Sequence, residues 1–199
     1  MSETYIEESR LATAEVSLGS LLSPGAWRPA LPPEVNPRQI GDELWSSAFD
    51  KDQLDDRPLY WQRLILSQYL RELGAESSDL LEFELASRGM LGNQFSGGAA
   101  YRVLVTGFDP FHLDDYIEQG NPSGVVALQH QHKQIALGAG RAEIRSMIFP
   151  VRYKDFDEFL VERVLEAFTD KVDMVITVSM GRTGFDLERF PGRRRSVST

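Results

Sequence analysis

The sequence predicts an α/β protein: an incomplete three-layer α/β/α fold with a mainly parallel sheet, preceded by a helical N-terminal extension. Three observations carry that expectation. Apolar, β-branched runs at Tyr101–Thr106, Ala142–Phe149 and Asp173–Val178 read as strands buried on both faces. Helical patterns over about 123–132 and 155–168 separate them, and strand–helix–strand at such short spacing requires parallel pairing with right-handed crossovers. The chain ahead of residue 99 shows helices and breakers but no strand pattern. The expected division is therefore 1–98, loop-rich and then helical, and 99–199, the α/β part.

Taken in order, residues 1–39 are rich in breakers (Pro24, Gly25, Pro29, Pro32, Pro33, Pro37) and read as loops, partly disordered. Asn36-Pro37 can open a helix, because proline is tolerated in a first turn whose N–H needs no partner. Ile40, Leu44, Trp45 and Phe49 then recur at helical spacing. The clearest helix runs from about Pro58 to Leu73, with Leu59, Leu64, Leu66, Tyr69 and Leu70 in its stripe and Arg63, Gln68 and Arg71 mostly off it. Asp55 and Asp56 suit its N-terminal dipole and Gly74 its left-handed cap. A second helix is expected over Ser78–Ser87, and the glycines from Gly89 to Gly98 read as the join to the sheet. Beyond the first strand comes a loop over 107–120, then Asn121-Pro122-Ser123 as a helix opening. Pro150 ends the second strand. Phe156, Phe159, Leu160, Val164, Leu165 and Phe168 form one face of a single amphipathic helix.

Composition narrows the class. Hydrophobic residues at 42% and charged residues at 26% suit a soluble globular chain with a sizeable core. A formal charge of −9 argues against general nucleic-acid binding. The cluster Arg182, Arg189, Arg193, Arg194, Arg195 reads as a solvated face or loose tail. With no cysteine, disulfides, thiolate metal sites and a thiol nucleophile are excluded for this chain. The start of the sequence has no signal-peptide pattern, and no apolar stretch approaches the roughly 20 residues needed to span a bilayer. No membrane association and a cytoplasmic location are expected.

Open α/β sheets bind ligands beyond the carboxyl ends of their strands. Two loops should lie there. In the first, Gly107-Phe108-Asp109-Pro110-Phe111, the aromatic rings either close the core edge or wall a pocket for a small flat ligand. In the second, Met180 to Arg189, Glu188 among arginines is either a structural ion pair or an acid that orients an imidazole. Neither loop is a dinucleotide fingerprint or a P-loop, so no cofactor is expected. His130 and His132 make a weak metal motif and sit where a helix end favours a positive ring, and Ser179 lacks a nucleophile elbow.

In combination, Val103–Phe111, Asn121-Pro122-Ser123, Phe149-Pro150 with Tyr153-Lys154, and Gly181-Arg182 with Glu188-Arg189 resemble pyroglutamyl peptidase I, a family of cysteine peptidases. The resemblance covers about residues 101–199, the first half of that fold. It implies that Phe108 and Phe111 sandwich a pyroglutamyl ring, that Asn121 lies close to that pocket, and that Glu188 is the acidic member of a Cys–His–Glu triad. The chain departs from the family at His112-Leu113 and at Val178-Ser179-Met180, and it stops at Thr199, ahead of the family's cysteine and histidine. Two functional expectations follow. One is a truncated peptidase-like protein, inactive alone, that would take a pyroglutamyl peptide only when completed. The other is a non-catalytic binding or interaction module, in which an oligomer or partner covers the incomplete sheet.

Overall fold

A computed structural model describes residues 7–18, 36–49, 54–138, 140–168, 170–181, 184 and 186–188. The proline-rich stretch over 19–35 and the basic cluster at 182 and 189–195 lie outside the described residues. Among the described residues, the extension contains the helices α1 (Leu11–Leu18), α2 (Pro37–Phe49), α3 (Arg57–Glu72) and α4 (Ser77–Ala86). The α/β part follows as β1 (Tyr101–Phe108), α5 (Pro122–His130), β2 (Gln134–Leu137), β3 (Gly140–Phe149), α6 (Tyr153–Asp157), α7 (Leu160–Glu166) and β4 (Met174–Thr177).

Local chemistry sets these boundaries. Asn36 Oδ1 accepts the Gln39 N–H at 3.1 Å and so caps α2. Gly74 takes φ +88° just past α3, the left-handed conformation that a side chain resists. At α4 the side chains of Glu76 and Asp79 each accept a backbone N–H from the other's end, a capping box built from two acids. Asn121 caps α5 by accepting the Ser123 N–H at 3.0 Å, with Pro122 at the first helical position.

The sheet has the order β2-β3-β1-β4. β1 runs parallel to both β3 and β4, in register Val105 with Ser146 and Ile176, while β2 is antiparallel to β3. β3 shows the period of two that a twice-covered strand requires. Ile148 packs with Leu44, Trp45, Leu66, Phe83 and Leu128 on the face covered by α5 and the extension. Met147 and Phe149 pack with Leu104, Met90, Val164 and Phe168 on the face covered by α7. Close approach is built in at two glycines. A Cβ on Gly107 would meet the Ser123 backbone, and one on Gly41 would sit 2.7 Å from Ala86 Cβ, so α5 rides directly on β1 and α2 directly on α4.

Four expectations need correction. Residues 11–18, read as loop, are helical, because Ala14 and Leu18 are buried against Tyr60, Trp61, Leu64 and Leu113. β2 went unseen because all four of its residues are exposed and leave no burial pattern to read. The single helix over 155–168 is two, broken where Phe159 adopts φ +59° with 63% of its surface exposed. Finally, β4 is not buried on both faces. Met174, Val175 and Ile176 are 56%, 44% and 42% exposed, because among the described residues β4 lies at the edge of the sheet with β1 on one side.

Candidate functional site

The parallel register carries the loops after β1 and β4 off the same end of the sheet. The four residues singled out from the sequence do different things there. Phe108 is half-buried, its ring 6.3 Å from Phe149 and stacked 6.4 Å from Phe156. Phe111 belongs to the next turn, its ring 4.7 Å from His112 and its carbonyl accepting Gln119 Nε2 at 2.7 Å. Asn121 is buried with every polar group engaged. Its Oδ1 accepts from Ser123 N and Oγ, its Nδ2 donates to the Asp109 carbonyl at 2.9 Å, and its backbone N–H donates to the Asp56 carboxyl. Glu188 is exposed, and among the described residues it makes no hydrogen bond or ion pair. The structure thus joins Phe108 to the sheet face and Asn121 to a helix cap, with Glu188 apart in solvent.

What fills the carboxyl end of the sheet instead is a buried ion-pair chain. Asp109, directly after β1, accepts Arg63 Nη1 at 3.1 and 3.2 Å and also pairs with Arg88. Arg63 comes from α3 and further donates Nε to Ser87 Oγ at 3.0 Å. Arg88 follows α4 and reaches Glu84 at 3.0 Å. Glu84 pairs in turn with Arg152, three residues past β3, and Arg152 also meets Glu7 at 3.3 Å and Asp155 at 2.6 Å. Three guanidinium groups and four carboxylates, contributed by the extension and by the strand ends, occupy the position where an open sheet would receive a ligand.

Burial and pairing compete across this chain. Desolvation is the largest influence on Arg63 and, with Arg88 beside it, lowers its pKa to about 10 despite Asp109. Burial alone would raise Glu84, but Arg152 and Arg88 outweigh it and hold the carboxyl at about 2. Asp56 has no cationic partner of this kind. Burial pushes it up to about 7, against the Asn121 N–H, which favours the charged form, and with the Asp109 charge adding to the rise. Removing one partner from such a buried cluster is far costlier than the cluster's net contribution to stability.

A small pocket of about 230 Å³ opens beside the chain between α4 and α7. Its rim carries Arg88, Arg152 and Arg163 against Glu84, Asp155 and Glu158, so it has no net preference for either sign of charge. Sequence reasoning put Arg63 outside the apolar stripe of α3, yet it is 3% exposed. The signal was present: Leu59, Arg63, Leu66 and Leu70 follow one another at four, three and four residues, the spacing of one helix face. Arg88 and Arg152 had no comparable signature. His132 also departs from the expected positive ring, since burial first and Arg145 second lower its pKa. Among the described residues, no group of three or more His, Asp or Glu is arranged to hold a metal ion, and no helix is long and apolar enough to cross a membrane.

Comparison with known proteins overturns the pyroglutamyl peptidase resemblance, and with it the hydrolase and peptidase reading. Nothing found points to that family. The roles it lent to Phe108, Phe111, Asn121 and Glu188 lose their basis; short matches such as Gly-Phe-Asp-Pro-Phe and Asn-Pro-Ser also serve plain structural ends, as the cap at Asn121 does. No solved structure matches. A curated relative, "Uncharacterized protein PA0049" of Pseudomonas aeruginosa, is 32% identical over an alignment of 191 positions that covers 77% of this chain. The chain spans about a third of that relative's length, 34%. Residues 102–199, from the second residue of β1 onward, are similar to the family described as "PA0049, C-terminal domain".

Proposed function

We propose that this chain is a non-catalytic interaction module that docks a polypeptide partner along β4. The observation that carries the reading is the exposure of Met174, Val175 and Ile176 on a parallel edge strand. A parallel strand that is apolar on both faces is normally covered by helices and flanked by neighbours. Among the described residues that environment is supplied on one side only. Met180, three residues past β4, is exposed as well. The partner that fits is an apolar strand adding beside β4, with an apolar helix over its faces. The filled carboxyl end supports the non-catalytic half of the reading, because each of its charged side chains is already engaged.

A photo-crosslinking amino acid placed at Val175 in the cell tests the docking directly. The expected result is one discrete adduct, with a polypeptide joined through an apolar strand, that disappears when Ile176→Lys is added. A ladder of scattered adducts, or one adduct indifferent to Ile176→Lys, would overturn the proposal. An adduct of the chain with itself would replace the heterologous partner by a second copy. Circular dichroism of Ile176→Lys should match the parent, since the residue is exposed.

A further inference from the structure

The opposite end of the molecule holds a larger cavity, of about 560 Å³, between the 90–100 segment and the turn after α7. That volume is ordinary for a small-molecule site. Its apolar lining includes Met90, Phe95 and Phe168, of which Met90 and Phe168 are also buried in the core beneath the sheet. Its charged lining is Arg102 and Lys171, with no carboxylate, on a chain whose formal charge is −9. Arg102 gives its Nε to Asp173 at 3.3 Å. The Lys171 ammonium forms no ion pair among the described residues.

The backbone of the same wall is equally unspent. Ser96 gives its N–H to Glu143 at 2.9 Å and Ala100 its N–H to the Arg141 carbonyl at 3.0 Å. Between them, the N–H groups of Gly97, Gly98 and Ala99 meet no acceptor among the described residues. Successive free N–H groups around a glycine of positive φ, here Gly98 at +108°, form the kind of concavity that receives an anion. Gly97 adds a separate argument. It does not use the left-handed region, and a Cβ placed on it would meet nothing within 4 Å. Neither backbone conformation nor packing requires glycine there, whereas close approach of a ligand to the main chain would.

From this juxtaposition we infer that the cavity is a binding site for a small amphipathic anion. The carboxylate or phosphate head lies at the Gly97–Ala99 amides and Lys171, and the flat apolar body lies against Phe95 and Phe168. The site is independent of β4 and stands whether or not the docking proposal does.

The test uses 1-naphthyl phosphate and its neutral counterpart 1-naphthol, titrated into the isotope-labelled full chain and followed by amide chemical shifts. Naphthyl phosphate should move Gly97, Gly98, Ala99 and Lys171, and naphthol should bind at least tenfold more weakly. Lys171→Glu should weaken naphthyl phosphate at least tenfold. Gly97→Val, which the backbone tolerates, should do the same by filling the mouth, while Ile176→Lys should leave affinity unchanged. Equal affinity for the two probes would overturn the inference. So would saturation with shifts clustered elsewhere, no shift at millimolar probe, or indifference to both Lys171→Glu and Gly97→Val. An unchanged melting temperature for Gly97→Val separates loss of binding from loss of fold.

Discussion

The two long sides of the β1–β4 region have been treated differently. At the carboxyl end, helices of the extension close over the strands and bring arginines to meet Asp109, so that Arg63, Arg88 and Asp109 are buried charges. Along β4, the strand lies open with apolar side chains half in water. The contrast separates two kinds of cost. The closed end carries desolvated charge that only pairing makes tolerable. The open edge leaves hydrophobic area and ladder groups unspent, which a partner can recover.

If that contrast is right, the closed end is brittle and the open edge tolerant. The largest effect is expected for Asp109→Ala, which leaves Arg63 and Arg88 buried without their shared carboxylate. Urea unfolding should show a loss of roughly 3–5 kcal/mol, and a loss near zero would mean the cluster is hydrated. Next comes Leu104→Ala, at a fully buried position of β1. A cost of about 2–5 kcal/mol is expected from the cavity it leaves.

Asp56→Asn should sharpen the picture through pH. The folded carboxyl titrates at about 7, above an unfolded value of roughly 4. The folded state therefore holds that proton more tightly. Its contribution is fully present below about pH 4 and is lost as the pH rises toward 7. The variant should flatten the stability profile across that window and be more stable than the parent at pH 8, by roughly 1–3 kcal/mol. A variant less stable than the parent at pH 8 would mean that Asp56 acts as a charged acceptor for the Asn121 N–H. The smallest effect belongs to the edge: Val175→Ser or Ile176→Ser should cost about 1 kcal/mol or less in the free chain. Hydrogen exchange should find β4 amides opening well before those of β3.

How legible this was depended on whether the information was local. The strand at 101–108, the helix over 57–72 and the left-handed Gly74 all announce themselves within a few residues, through β-branched runs, apolar periodicity and a breaker. The break at Phe159 does not, because its sequence continues a perfect amphipathic stripe; only the packing of α7 against Leu104 and Met147 shows where the stripe must restart. Burial of β4 was overread from composition, since an apolar run records what a strand could bury and not what stands beside it. The ion-pair chain was hidden for a different reason. Arg63 and Asp109 are 46 residues apart, Arg152 and Glu7 are 145 apart, and no local pattern pairs them. The motif match at Asn121 picked out a residue the fold does need, for capping α5 and fixing the loop after β1.

The shared carboxylate of Asp109 also governs how the chain can be cut. Its two guanidinium partners sit on or just after α3 and α4, while the aspartate itself follows the first strand. A fragment begun near residue 100 for crystallisation or interaction screening would carry that acid into a hollow stripped of its counterions. It would also bare Ile148 and Leu128, which the extension covers. Boundaries for expression should therefore keep the helices with the sheet, however natural the glycine-rich stretch between them looks as a place to divide the gene.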